Sequence, residues 1–113
     1  MAELTLHHEG NDYRTEICKI DSVTMDPYAF RVRVKGLTSG WDMLFARVDL
    51  ENGHGPMKAL KKALEANFNV YSVNDIEGKI ALLVKDMSGE IVGITSSENN
   101  FSQDPVFREP LGI

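Results

Sequence analysis

The cleanest alternation of apolar and polar residues runs from Tyr28 to Lys35. Tyr28, Phe30, Val32 and Val34 oppose Arg31, Arg33 and Lys35, the period of two expected of a half-buried strand. The first set reads as a core face and the second as a solvated one. After Gly36-Leu37-Thr38-Ser39-Gly40, the residues Leu44, Ala46, Val48 and Leu50 alternate with Phe45, Arg47, Asp49 and Glu51, which predicts a hairpin. Laying the two aliphatic sets on one side brings Asp49 and Glu51 toward Arg31 and Arg33, where opposite charges across strands contribute about 0.2–1 kcal/mol.

Two further hairpins are predicted. Residues 3–9 and 13–20 flank Gly10-Asn11-Asp12, residues that tolerate a positive φ and suit a tight turn. Leu4 and Leu6 are expected to meet the core. On the second arm, Tyr13, Thr15 and Ile17 share one face and Arg14, Glu16, Cys18 and Ile20 the other, a pattern that does not choose a register. Residues 21–27 read as a turn or loop. Near the far end, residues 79–86 and 90–95 flank Met87-Ser88-Gly89, and the run Ile80-Ala81-Leu82-Leu83-Val84 does not alternate, which predicts a central strand covered on both faces.

Between the second and third hairpins the period changes. Pro56 carries the fixed φ favoured at a first helical position, and Met57, Leu60, Leu64 and Phe68 recur at spacings of three and four. Lys58, Lys61, Lys62 and Glu65 fill the remaining surface. Asn67 and Asn69 bracket the end, where asparagine can take the left-handed conformation. Residues 96–113 are polar and carry Pro105 and Pro110, which forbid a regular helix, yet they also hold Phe101, Val106, Phe107, Leu111 and Ile113. The expectation is an irregular tail docked on the domain or on a second subunit. The element order predicts an α+β fold, with residues 1–95 forming one domain: a mainly antiparallel sheet of about six strands in three hairpins, and one principal amphipathic helix on one face.

Composition narrows what such a domain does. A chain of 113 residues with 42% hydrophobic and 26% charged residues is the size of a single soluble domain. Seventeen acids against twelve bases, a net charge of -5, argue against a sequence-independent nucleic-acid binder or a binder of anionic membranes. Cys18 is the only cysteine, so an intrachain disulfide and a four-cysteine zinc module are excluded, and a reducing, cytoplasmic setting is expected. The amino terminus lacks the pattern of a secretory signal, and the longest aliphatic run is too short to span a bilayer.

Candidate chemistry is sparse. Arg31, Arg33 and Lys35, with Lys58, Lys61 and Lys62, gather half of the twelve bases, seven with Arg47, and form a candidate patch for an anionic partner; the plainer account is a solvated strand face neutralised by Asp49 and Glu51. His54, in a glycine-flanked loop before the helix, is a candidate ligand site, with loop spacing as the competing account. Adjacent His7 and His8 point to opposite faces of a strand and cannot share a metal ion, and Cys18 reads as a small buried hydrophobe. No nucleophile elbow or phosphate-binding loop occurs, and neither a catalytic residue, a metal nor a cofactor is expected. The sequence therefore favours a non-enzymatic cytoplasmic protein-binding domain, such as a regulator, an inhibitor or an immunity or antitoxin-like partner, acting through an exposed sheet face, with a homodimer also expected. Two alternatives stand beside it: a small ligand-binding domain or enzyme with a site around His54 and the helix start, and a nucleic-acid binder using Arg31, Arg33 and Lys35.

Overall fold

One long strand joins the hairpins into a single sheet. In a computed structural model describing residues 5–52, 54–98 and 104–109, the strands are β1 (Thr5–His8), β2 (Asn11–Met25), β3 (Ala29–Gly36), β4 (Asp42–Asp49), β5 (Ile80–Lys85), β6 (Ile91–Ser96) and β7 (Val106–Phe107). The helix α1 (Gly55–Phe68) lies between β4 and β5 in the chain. Every pairing among the described residues is antiparallel, in the order β4-β3-β2-β5-β6-β7, with β1 on the first part of β2. The class is α+β, as the element order predicts.

The sheet curls until β4 and β6 approach one another, and α1 packs inside the curl. Leu60 and Leu64 are fully buried there, against Ile20, Phe30, Val32, Val34, Leu83 and Ile94. The helix ends as its composition requires: Asn69 takes φ 56, and the N–H of Val70 donates to the carbonyl of Glu65 at 3.0 Å. The Glu65 carboxylate accepts the N–H of Val73 at 3.1 Å, which fastens the helix to the 3-10 turn Val73–Ile76.

Two β-bulges correct the sequence reading. Residues 21–25 continue β2 rather than forming a loop, because Asp21 is an extra residue between the pairs Ile20–Val34 and Ser22–Arg33. The insertion shifts the alternation by one, so that Cys18, Ile20 and Val23 all face inward. On β4, Phe45 is extra between the pairs Val32–Ala46 and Arg33–Leu44. Phe45 is therefore fully buried beside Ala46, while Leu44, expected in the core, is 39% exposed on the outer face.

Tyr28 also leaves the expected core. The carboxylate of Asp26 accepts the N–H groups of Tyr28 and Ala29, both at 2.8 Å, and this turn holds Tyr28 ahead of the strand with its side chain exposed. β5 is central, flanked by β2 and β6, but its cover is uneven: Ala81, Leu83 and Val84 are buried whereas Ile80 is exposed on the outer side. Leu6 is buried as expected; Leu4, Phe101, Leu111 and Ile113 lie outside the described residues. Of the tail, residues 104–109 dock on β6, with Val106 in the core and Phe107 opposite Gly93.

Asn67 turns that docking into a closed edge. Its carbonyl oxygen accepts the N–H of Ser96 at 2.7 Å, and its amide nitrogen donates to the Thr95 hydroxyl at 3.2 Å and to the Asp104 carbonyl at 3.0 Å. A buried side-chain amide thus takes the place of a neighbouring strand where β7 has not yet begun.

Candidate functional site

The outer face of β2, β3 and β4 carries cations in a regular array. Because Phe30, Val32 and Val34 point inward, Arg31, Arg33 and Lys35 point outward, and the register places Thr24, Ser22 and Lys19 of β2 beside them in turn. On the other side of β3 stand Arg47, Leu44 and Asp42. Two pairs of like charges therefore face each other directly, Arg31 with Arg47 and Lys19 with Lys35. Directly opposed side chains have Cβ atoms about 4.5–5.5 Å apart, and like charges there are destabilising.

The first pair is neutralised within the chain. Arg31 Nη1 lies 2.6 Å from Asp26 Oδ2, and Arg47 Nε lies 2.8 Å from Asp49 Oδ1. The Arg31 guanidinium, with the N–H groups of Tyr28 and Ala29, holds the Asp26 carboxyl down to about 2. The expected neutralisation of Arg31 and Arg33 by Asp49 and Glu51 does not occur: Asp49 stands opposite Ala29 and pairs along its own strand. Among the described residues, Lys19, Arg33 and Lys35 have no carboxylate within ion-pairing distance. Lys19 also faces Ile80 of β5, so the three free cations lie between the partly exposed apolar side chains Ile80 and Leu44.

The helix lysines do not join this array. Since α1 packs against the inner face, Lys58, Lys61 and Lys62 lie on the far side of the sheet from Arg31, Arg33 and Lys35. Lys61 is half-buried with Nζ 5.6 Å from the centroid of the Phe30 ring, a cation–π contact, and Lys58 and Lys62 are exposed. In place of the three helix lysines, the strand array gains Lys19 and Arg47. The alternation of residues 13–20 leaves the register of Lys19 open, so local sequence does not place it in this array.

His54 is exposed at the start of α1, where its carbonyl accepts the N–H of Lys58 at 2.9 Å and its side chain makes no capping bond. It borders a cleft of about 800 Å³ lined by Met25, Tyr28, Leu50, Glu51 and Met57. Of the polar groups nearby, Asp26 is engaged with Arg31 and Asp49 with Arg47, and Glu51 is exposed.

At the other end of the sheet the outer face is covered. Phe107 lies against Gly93, where a Cβ would meet the Val106 carbonyl at 2.8 Å, and its ring is flanked by His8 at 5.1 Å and Tyr13 at 5.5 Å between centroids. A cleft of about 860 Å³ opens beside this cluster, edged by Asp86, Glu90, Arg108 and Glu109. Arg108 is tied down through Nη1 to the Ile91 carbonyl at 2.9 Å. His7 faces away from His8, as strand geometry requires, and pairs with Asp12.

The Cys18 thiol is fully buried, and its pKa is pushed up to about 12 by that burial, reinforced by the nearby Glu16 carboxylate. It stays protonated near neutrality and serves as core. Among the described residues no three His, Cys, Asp or Glu side chains cluster to hold a metal ion, and no helix is long and apolar enough to cross a membrane. In comparisons with known proteins, no family model, no curated protein and no solved structure matches this chain.

Proposed function

We propose that the chain is a non-enzymatic protein-binding domain of the regulator, inhibitor or immunity-protein kind, acting in the cytoplasm through the outer face of β2, β3, β4 and β5. One observation carries this reading: the face opposite the helix leaves Leu44 and Ile80 partly exposed on either side of the free cations Lys19, Arg33 and Lys35. The two apolar side chains are cross-strand neighbours of the cations, Ile80 of Lys19 and Leu44 of Arg33. Apolar side chains set among cations suit a protein surface that supplies carboxylates and apolar contacts together.

The test uses the full chain, immobilised as wild type, as Leu44→Glu/Ile80→Glu and as Lys58→Glu/Lys62→Glu. The expected result is one stoichiometric partner retained by the wild type and the helix variant and lost from the outer-face variant, with all three giving the same circular dichroism spectrum. Equal retention by the outer-face variant refutes the reading. So does a dimer in light scattering that dissociates on Leu44→Glu/Ile80→Glu, since the face is then occupied by a second copy.

A further inference from the structure

We infer that the partner presents an extended acidic segment with carboxylates at alternate positions, one held between Lys19 and Lys35 and the next by Arg33; this rests on the protein-binding reading above. The argument begins from a cost. Lys19 and Lys35 oppose each other on neighbouring strands, an arrangement that destabilises the sheet. The chain has seventeen acids to twelve bases and neutralises the equivalent Arg31–Arg47 pair with Asp26 and Asp49, yet it leaves Lys19, Lys35 and Arg33 without an ion-pair partner among the described residues. Asp42 faces Lys35 from β4 but forms no ion pair with it, and a local preference broken without an internal ion pair marks a position kept for something outside the fold.

The spacing then selects the ligand. Arg33 and Lys35 lie on the same side of β3 two residues apart, about 6.6–6.8 Å along the strand. An extended peptide repeats its same-face side chains at that interval, so carboxylates at alternate positions reach both sites without distortion. The Arg33 guanidinium can take its carboxylate through two parallel hydrogen bonds, while the two ammonium groups bracket the other. Two of the chain's own carboxylates bear on the placement. Asp42 stands opposite Lys35 on the β4 side, and Asp21 sits at the bulge beyond Ile20; both are exposed. Lying on opposite sides of β3, they confine an acidic segment to the line over Arg33 and Lys35. A short segment also fits the net charge of -5 better than a long polyphosphate, which would carry many charges past the remaining carboxylates.

The probes are a short labelled peptide alternating glutamate and threonine, a peptide of the same composition with its glutamates grouped together, and a labelled single-stranded oligothymidine. Fluorescence anisotropy at low salt is expected to show the alternating peptide binding most tightly, with affinity falling about tenfold or more in Lys35→Glu and in Arg33→Glu and unchanged in Lys58→Glu. Arg33→Lys should fall between, since an ammonium cannot supply the paired hydrogen bonds. Equal binding of the grouped peptide, tighter binding of oligothymidine through the same residues, or no peptide binding by the wild type would each overturn the inference. The captured partner separates the two levels. Loss on Leu44→Glu/Ile80→Glu with retention on Arg33→Glu/Lys35→Glu leaves the binding face standing and removes the acidic segment; retention on both removes both.

Discussion

β3 presents two faces that share one backbone and have opposite fates. On the inner side Phe30, Val32 and Val34 are almost completely excluded from water, and on the outer side Arg33 and Lys35 are open to it. The inner face is saturated: bulges on β2 and β4 each shift the alternation so that Val23 and Phe45 also turn inward. The outer face is left in deficit. Its Arg31–Arg47 pair is balanced by neighbouring aspartates, while Lys19, Lys35 and Arg33 form no ion pair among the described residues. Stability resides in the inner face, which holds the core.

Substitutions that sharpen this contrast differ in size and sign. Leu64→Ala, on the helix where it meets the inner face, should cost about 2–5 kcal/mol in urea unfolding, the range for truncating a fully buried leucine. A loss below about 0.5 kcal/mol, typical of a surface site, would contradict its placement. Asn67→Leu keeps the volume but removes the amide that serves as a strand at the edge of β6, leaving the Ser96 N–H without its acceptor. The expected loss is about 1–3 kcal/mol, with faster amide exchange at Ser96 as the local signature.

On the outer face the sign reverses. Lys19→Glu replaces a like-charge pair with an opposite one across from Lys35, its other cross-strand neighbour being the uncharged Ile80, and should raise stability by about 0.2–1 kcal/mol, less in high salt, even as peptide binding is lost. A destabilised Lys19→Glu would show that the two lysines do not repel in the folded chain. The smallest effect belongs to Asp26→Asn. Arg31 and two backbone N–H groups lower the Asp26 carboxyl from 3.8 to about 2, so the folded state favours the ionised form. That contribution is fully present above the unfolded value and is lost as the pH falls through about 2. The melting temperature of Asp26→Asn should therefore vary less than that of the wild type across this window, and parallel curves would remove the Asp26–Arg31 pair from the account.

Much of the fold is legible in local pattern, because helix periodicity, the proline at the helix start and the asparagine at its end act over a few residues. α1 with its buried Met57, Leu60, Leu64 and Phe68, the left-handed Asn69 and the three hairpins are all of this kind. The alternation of β3 was equally readable, and with it the outward direction of Arg31, Arg33 and Lys35. Where a bulge intervenes, the same reasoning fails in a definite way. One extra residue reverses the assignments on one side of it: Ala46 and Val48 face inward as expected, while Leu44 and Phe45 exchange their expected places. The candidate site was only half visible for the same physical reason. Local sequence determined the fold class, the helix and the basic strand of this protein. Only the tertiary structure decided that Lys19 stands against Lys35 and that the helix lysines belong to the other side of the sheet, because strand register and the side on which a helix packs depend on contacts between residues distant in the chain.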